Sequence, residues 1–156
     1  MMDRLETLIA ERDCERLTYR YCRFADCGEA SRLAELFTED GVFSTPDMTL
    51  RGRLEIARTF AEREALTDLQ TLHLCTNIDV DVLDESFARG WVNLCLFRRW
   101  RDAGTTAPVT VTTPSLVAAY EDTYTRVGGR WLLATRAQRV IFADPADTAW
   151  KRPPIR

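Results

Sequence analysis

Histidine occurs once in this chain, at position 73, and its scarcity excludes a good deal. A zinc site draws four ligands, mostly from cysteine, histidine and carboxylate. One imidazole and no C-x-x-C spacing supply no such set, so neither a metal nor another cofactor is expected. The cysteines, Cys14, Cys22, Cys27, Cys75 and Cys95, are odd in number and scattered. They read as small apolar core residues of a reduced, cytoplasmic protein. No apolar run approaches the ~20 residues that cross a bilayer, so no membrane contact is expected. The opening "MMDRLETLIAERD" is charged throughout and lacks the pattern of a secretory leader. Basic blocks are missing as well. The 21 Lys and Arg face 24 Asp and Glu, for a net charge of −3, which leaves no footprint for nucleic acid.

What is present is a chain of 156 residues, 46% hydrophobic and 29% charged, enough for one sizeable core. One domain is expected over residues 1–156, with its core at about 4–142 and an irregular tail at 143–156. Ala10, Cys14, Leu17, Tyr21 and Phe24 form a helical stripe, with a bend expected near Glu11 to Asp13, Asp13 as a cap for the second part, and Gly28 as the stop. "EASRLAELF" reads as a second helix. "TLRGRLEIARTFAERE" reads as a short strand, a turn at Gly52 and a third helix. Alternation then takes over. "LQTLHLCTNIDVDVL", "FARGWVNLCLFRRW", "SLVAAYEDTYTRV" and "RWLLATRAQRVIF" read as strands, the last two joined by a tight Gly128–Gly129 turn. Helices first and strands after predict an α+β fold: a cone-shaped, curved, mostly antiparallel sheet with three N-terminal helices on its concave side, an α+β barrel. The open end of such a cone is a natural small-molecule pocket. Apolar residues occupy both faces of the long strands, Val92, Leu94 and Leu96 alternating with Trp91, Cys95 and Phe97. A homo-oligomer is expected to cover the outer face, a trimer before a dimer. Trp150 in the tail is expected to pack at the pocket mouth or on a neighbouring subunit.

Taken in order, "YRYCRFADCGEASRLAELFTEDGVF", "LRG…EIARTF", "LHLCTNIDVDV" and "YEDTYTRVGGRWLLATRAQRV" resemble the SnoaL-like branch of the nuclear transport factor 2-like superfamily, across about residues 4–142. That branch and its relatives include scytalone dehydratase, bile-acid 7α-dehydratase, hexachlorocyclohexane dehydrochlorinase, ketosteroid isomerase and polyketide cyclases. The resemblance implies a pair between an H-x-x-x-N histidine, here His73 with Asn77, and an aspartate ending the first helix, here Asp26. It implies a site tyrosine at Tyr21 and a site arginine at Arg136. The sequence departs from the pattern where relatives carry a second acid/base group on the next strand; Asn93 in "GWVNLCLF" is the nearest polar residue.

Each candidate has two readings. His73 is a general base, or a hydrogen-bonded wall residue. Asp26 orients it, or pairs with Arg23, or closes the turn before Gly28. As a carboxylate in a last helical turn it opposes the helix dipole, and a partner has to offset that. Tyr21 holds a substrate oxygen or leaving group, or is a core tyrosine bonded to backbone. Arg136 binds a substrate carboxylate or phenolate, or pairs inside with Asp122 or Glu121. Asn93 and Trp91 line the pocket, with Asn93 donating to an oxyanion, or lie in a subunit interface. The expected function is a cofactor-independent acid/base enzyme on a small hydrophobic or aromatic substrate, most simply a dehydratase. The alternatives are a cyclase or double-bond isomerase using the same base, or a binding protein without catalysis.

Overall fold

The computed structural model describes residues 2–102 and 104–147 of the chain. The expectation for Trp150 lies outside the described residues. The first helix, α1 (Arg4–Asp26), starts at a reciprocal cap: Asp3 accepts from the Glu6 backbone at 2.8 Å, and Glu6 accepts from that of Asp3 at 2.8 Å. The helix is unbroken, so Asp13 caps no second part; with one capping box at Asp3, the helix propagates through the charged turn at Glu11 to Asp13. It ends as the glycine signal predicts. Gly28 takes a positive φ of 74°, and the Glu29 N–H reaches back to the Phe24 carbonyl.

The second helix is a 3₁₀ segment, Ala30–Leu36, not an α-helix. Its buried Ala30, Leu33 and Leu36 recur every three residues, which stacks them directly above one another at three residues per turn. Next come β1 (Phe37–Thr45), β2 (Met48–Arg51) and α2 (Arg53–Glu64). The long strands are β3 (Leu69–Val82), β4 (Phe87–Trp100), β5 (Leu116–Val127) and β6 (Arg130–Ala143). They form one six-stranded sheet in the order β2-β1-β6-β5-β4-β3, antiparallel except for the β1–β6 pair. The architecture is α+β, as the order of elements predicts. Gly128 and Gly129 both have positive φ and close the β5–β6 hairpin.

The inner face of the sheet holds Val92, Leu94 and Leu96 of β4 and Ala118, Tyr120, Asp122 and Tyr124 of β5, all buried. Within it lies a fully buried ion pair. Asp122 faces Arg136 directly across the β5–β6 ladder and takes both its Nε (3.0 Å) and Nη2 (2.6 Å). Nη2 also donates to Thr18 of α1 at 2.7 Å. The guanidinium carbon sits 4.5 Å from the ring centres of both Tyr21 and Tyr120, a cation held between two aromatic faces. Tyr124 donates to Asp122 at 3.0 Å. Gly90 leaves room for it, since a Cβ there would fall 2.9 Å from the Tyr124 ring.

Among the described residues, no helix is long and apolar enough to cross a membrane. Removing one member of a buried pair strands the other's charge. Asp122→Asn is therefore expected to lower the unfolding free energy by roughly 3–5 kcal/mol in urea denaturation. The joint change Asp122→Leu with Arg136→Met is expected to be milder than Asp122→Asn alone. A wild-type urea midpoint for Asp122→Asn would mean that the guanidinium is neutralised elsewhere.

Candidate active site

Asp26, the last residue of α1, meets His73 of β3 at two points. His73 Nδ1 lies 2.6 Å from Asp26 Oδ1, and the His73 backbone N–H donates to Oδ2 at 2.7 Å. Thr71, two residues earlier on the same strand face, donates its hydroxyl to Oδ1 at 2.9 Å. Asp26 thus satisfies its oxygens on β3 and pins the end of α1 to that strand, which offsets its unfavourable place at a helix C-terminus. Both side chains are largely shielded, with 12% and 11% of their surface exposed. Burial pushes the Asp26 carboxyl up, but the His73 ring and backbone and the Thr71 hydroxyl outweigh it, and the carboxyl lies below its ordinary value of 3.8. A carboxylate at Nδ1 favours the tautomer that carries its proton there.

A change of phase in β3 puts His73 on the inner face. Thr71, His73 and Cys75 face inward, and so do Ile78, Val80 and Val82, although a regular strand would send odd and even positions to opposite sides. The register breaks between Thr76 and Asp79, and Asn77 has φ 49°. A bulge absorbs one residue there, and asparagine tolerates the left-handed conformation better than most side chains. Asn77 of the H-x-x-x-N stretch is a backbone residue in this fold. It lets one strand present His73 at one end and an aliphatic face at the other.

His73 opens on a cavity of about 260 Å³ between the helices and the sheet. Tyr21 lines it, its ring edge-on to the imidazole with centroids 6.1 Å apart. Tyr120 stands 5.8 Å from Tyr21, and Gln138 lies beside Tyr120 across the ladder. Burial raises the Tyr21 hydroxyl well above its ordinary range, only partly opposed by Arg136, so Tyr21 stays a hydrogen-bond donor. Tyr120 is raised in the same way and for the same first reason. Phe43, Phe60, Leu33, Leu69, Leu96 and Leu116 supply apolar wall.

Three sequence-derived candidates fall elsewhere. Arg136 lies behind Tyr21 and Tyr120, spent on Asp122, and does not line the cavity; of its two readings, internal pairing is the one realised. Asn93 and Trp91 are on the outer face, opposite Ala119 and Glu121 of β5, with the Trp91 indole donating to Asn93 at 2.9 Å. They do not touch the cavity, because the parity of β4 turns Val92, Leu94 and Leu96 inward. The strand position opposite His73 is Leu96, so β4 supplies no second acid/base group beside it. Tyr120, Gln138 and Thr71 were missed as site residues. Their signal was parity: Tyr120 shares a strand face with Asp122, and Thr71 shares one with His73. Among the described residues, no group of three histidine, cysteine or acidic side chains is placed to hold a metal.

A profile of the SnoaL-like domain matches residues 6–137. Among solved structures, the chain is similar to a scytalone dehydratase-like protein from Novosphingobium aromaticivorans, with 26% identity over 89% of each chain and a TM-score of 0.73. It is also similar to an NTF2-like protein with a cystatin-like fold from the same organism, at 26% identity over 94% of this chain and 90% of that one, TM-score 0.72. A hexachlorocyclohexane dehydrochlorinase, LinA type 2, shares the fold at 16% identity, over 97% and 99% of the two chains, TM-score 0.76. No curated protein matches the sequence.

The lowered carboxyl of Asp26 has a consequence in acid. A depressed pKa contributes stability that is present above the unfolded value, about 3.9, and lost as pH falls through the folded one. Urea midpoints are therefore expected to fall more steeply below about pH 4 in the wild type than in Asp26→Asn. Identical slopes would remove Asp26 as an ionised partner of His73.

Proposed function

Because the chain belongs to the SnoaL-like domain family, we propose that it is a cofactor-independent acid/base enzyme in which His73 is the base and Asp26 its orienting partner. The observation that carries this reading is the 2.6 Å contact between Nδ1 and Asp26 in an imidazole that lines a cavity together with Tyr21. Nε2 takes a proton from a carbon next to an activating carbonyl. Asp26 stabilises the imidazolium that forms, and Tyr21 donates to the oxygen that gains charge. In a dehydratase, the electron pair left on carbon expels a neighbouring hydroxyl, and the imidazolium returns its proton to that leaving group, releasing water. The similarity to a scytalone dehydratase-like protein supports elimination.

A second reading keeps the same base and has nothing leave: a cyclase or double-bond isomerase. The apolar inner face of β4, with Leu96 opposite His73, favours it, because elimination there would leave His73 to serve as both base and acid. A purely binding role is the third reading. A panel of hydroxylated cyclic ketones, followed for a new conjugated double bond and for solvent deuterium at the acidic carbon, separates the three.

With a substrate in hand, His73→Ala is expected to lose about 10²-fold or more in kcat. Asp26→Asn is expected to lose nearly as much, through the wrong tautomer, and the double variant little more than either. Tyr21→Phe is expected to be milder. Turnover by His73→Ala at the wild-type rate would make the imidazole an ordinary wall residue.

Assembly belongs to the same proposal. On the outer face Leu72 pairs with Phe97, Leu74 with Cys95, Cys95 with Val117 and Val117 with Phe142. Leu72, Leu74 and Phe142 are 50%, 44% and 69% exposed, so this apolar band lies open on a single subunit. A homo-oligomer, a trimer before a dimer, would cover it. Light scattering at micromolar concentration is expected to give that mass, and Phe142→Arg to reduce it. A monomeric wild type would refute the assembly.

A further inference from the structure

One charge in the cavity wall is left over. Arg63, in the last turn of α2, lines the cavity half-buried. Its Nη2 reaches only neutral acceptors at long range, the Leu69 carbonyl at 3.4 Å and the Thr71 hydroxyl at 3.2 Å. Among the described residues, no carboxylate forms an ion pair with it. The nearby acid, Asp26, already has Oδ1 on His73 and Thr71 and Oδ2 on the His73 backbone. Arg98 of β4 lines the same cavity and sits opposite Thr71 in the ladder, the residue whose hydroxyl Arg63 reaches. Arg98 pairs with Asp147 at 2.8 Å, yet its Nε is buried without a partner. Burial lowers the Arg63 pKa and the Arg98 charge lowers it further, with the Asp26 charge opposing them only in part. Asp147 meets the Arg98 charge, and the Arg63 charge in a half-desolvated wall is costly unless something of opposite sign meets it.

We propose that the cavity selects a cyclic substrate bearing a carboxylate, received by Arg63 with Arg98 beside it, while His73 works on a carbon of the same ring system; this rests on the reading of His73 as the base. A guanidinium meets a carboxylate through two parallel N–H bonds, and Arg63 has donors to spare. Arg136, expected from the sequence as a possible carboxylate binder, is closed off by Asp122, and Arg63 takes that role from a different element. The geometry suits a ring. Thr71 and Arg98 form one ladder pair, and His73 and Leu96 the next on the same face, about 7 Å further along the strand. An anchored carboxylate therefore puts the far side of a fused or six-membered ring at the imidazole.

The test uses 2-naphthoate and its uncharged isostere 2-naphthamide as probes, with binding measured by calorimetry on the full chain. The carboxylate is expected to bind about tenfold or more tightly than the amide. Arg63→Gln is expected to bring carboxylate affinity down to that of the amide while leaving amide binding unchanged, which also shows that the variant is folded. His73→Ala is expected to keep the preference for the carboxylate. Equal binding of the two probes, an undiminished preference in Arg63→Gln, or binding of neither at millimolar concentration overturns the proposal. The two readings fail separately: preserved carboxylate preference with an active His73→Ala sinks the base alone, and an inactive His73→Ala with no preference sinks the anion subsite alone.

Discussion

A guanidinium sealed from solvent persists only where its charge is met inside, and Arg136 is where the inner contacts of this protein converge. Asp122 neutralises it across the ladder, Thr18 ties it to α1, and Tyr21 and Tyr120 cover its two faces. Each partner has its own support. Tyr124 donates to Asp122, and Gly90 gives Tyr124 its space. The outcome for function is indirect. Tyr21 and Tyr120 are held against the guanidinium and also line the cavity, so two residues of its wall are positioned by an ion pair that does not line it.

The second constraint is the distribution of acids around the cavity. Asp122 serves Arg136, Asp26 serves His73, and Asp147 and Asp144 serve Arg98 and Arg99. Arg63 is left with neutral acceptors. Such an arrangement gives the cavity two ends of different chemistry. One holds an imidazole hydrogen-bonded to a carboxylate, and the other holds a cation with no carboxylate ion pair among the described residues. Thr71 stands between them, donating to Asp26 and accepting from Arg63, so the two ends share a hydroxyl and are not independent in position.

Much of this was legible in the sequence, and the misses have a common cause. The glycine stop of α1, the Gly128–Gly129 hairpin and the four long strands follow from local rules of spacing and turn chemistry. The His73–Asp26 contact was anticipated through a resemblance carried by "HLCTN" and "YCRFAD". Asn93 and Trp91 were misplaced because alternation says that two faces exist and not which one is inside. A strand with apolar residues on both faces, as β4 has, cannot be oriented from its own pattern. The 3₁₀ segment was missed because Ala30, Leu33 and Leu36 at three-residue spacing fit the i, i+3 pattern of an α-helix nearly as well.

By itself the sequence determined the α+β class, the order of the elements, the lone imidazole and the supply of charges, because these depend on composition and on neighbours a few residues apart. Tertiary structure alone decided which charges meet. Thr18 is 118 residues from Arg136, and Asp26 is 47 from His73. Arg136 had two internal acids and a substrate to choose among, and the β5–β6 register chose Asp122. Arg63 carried no mark in the sequence that set it apart from the other arginines. Its distinction is its place, half-buried in the cavity wall with no carboxylate ion pair among the described residues, and that is a property of the folded arrangement, since the energy of a charge is set by what lies around it in space.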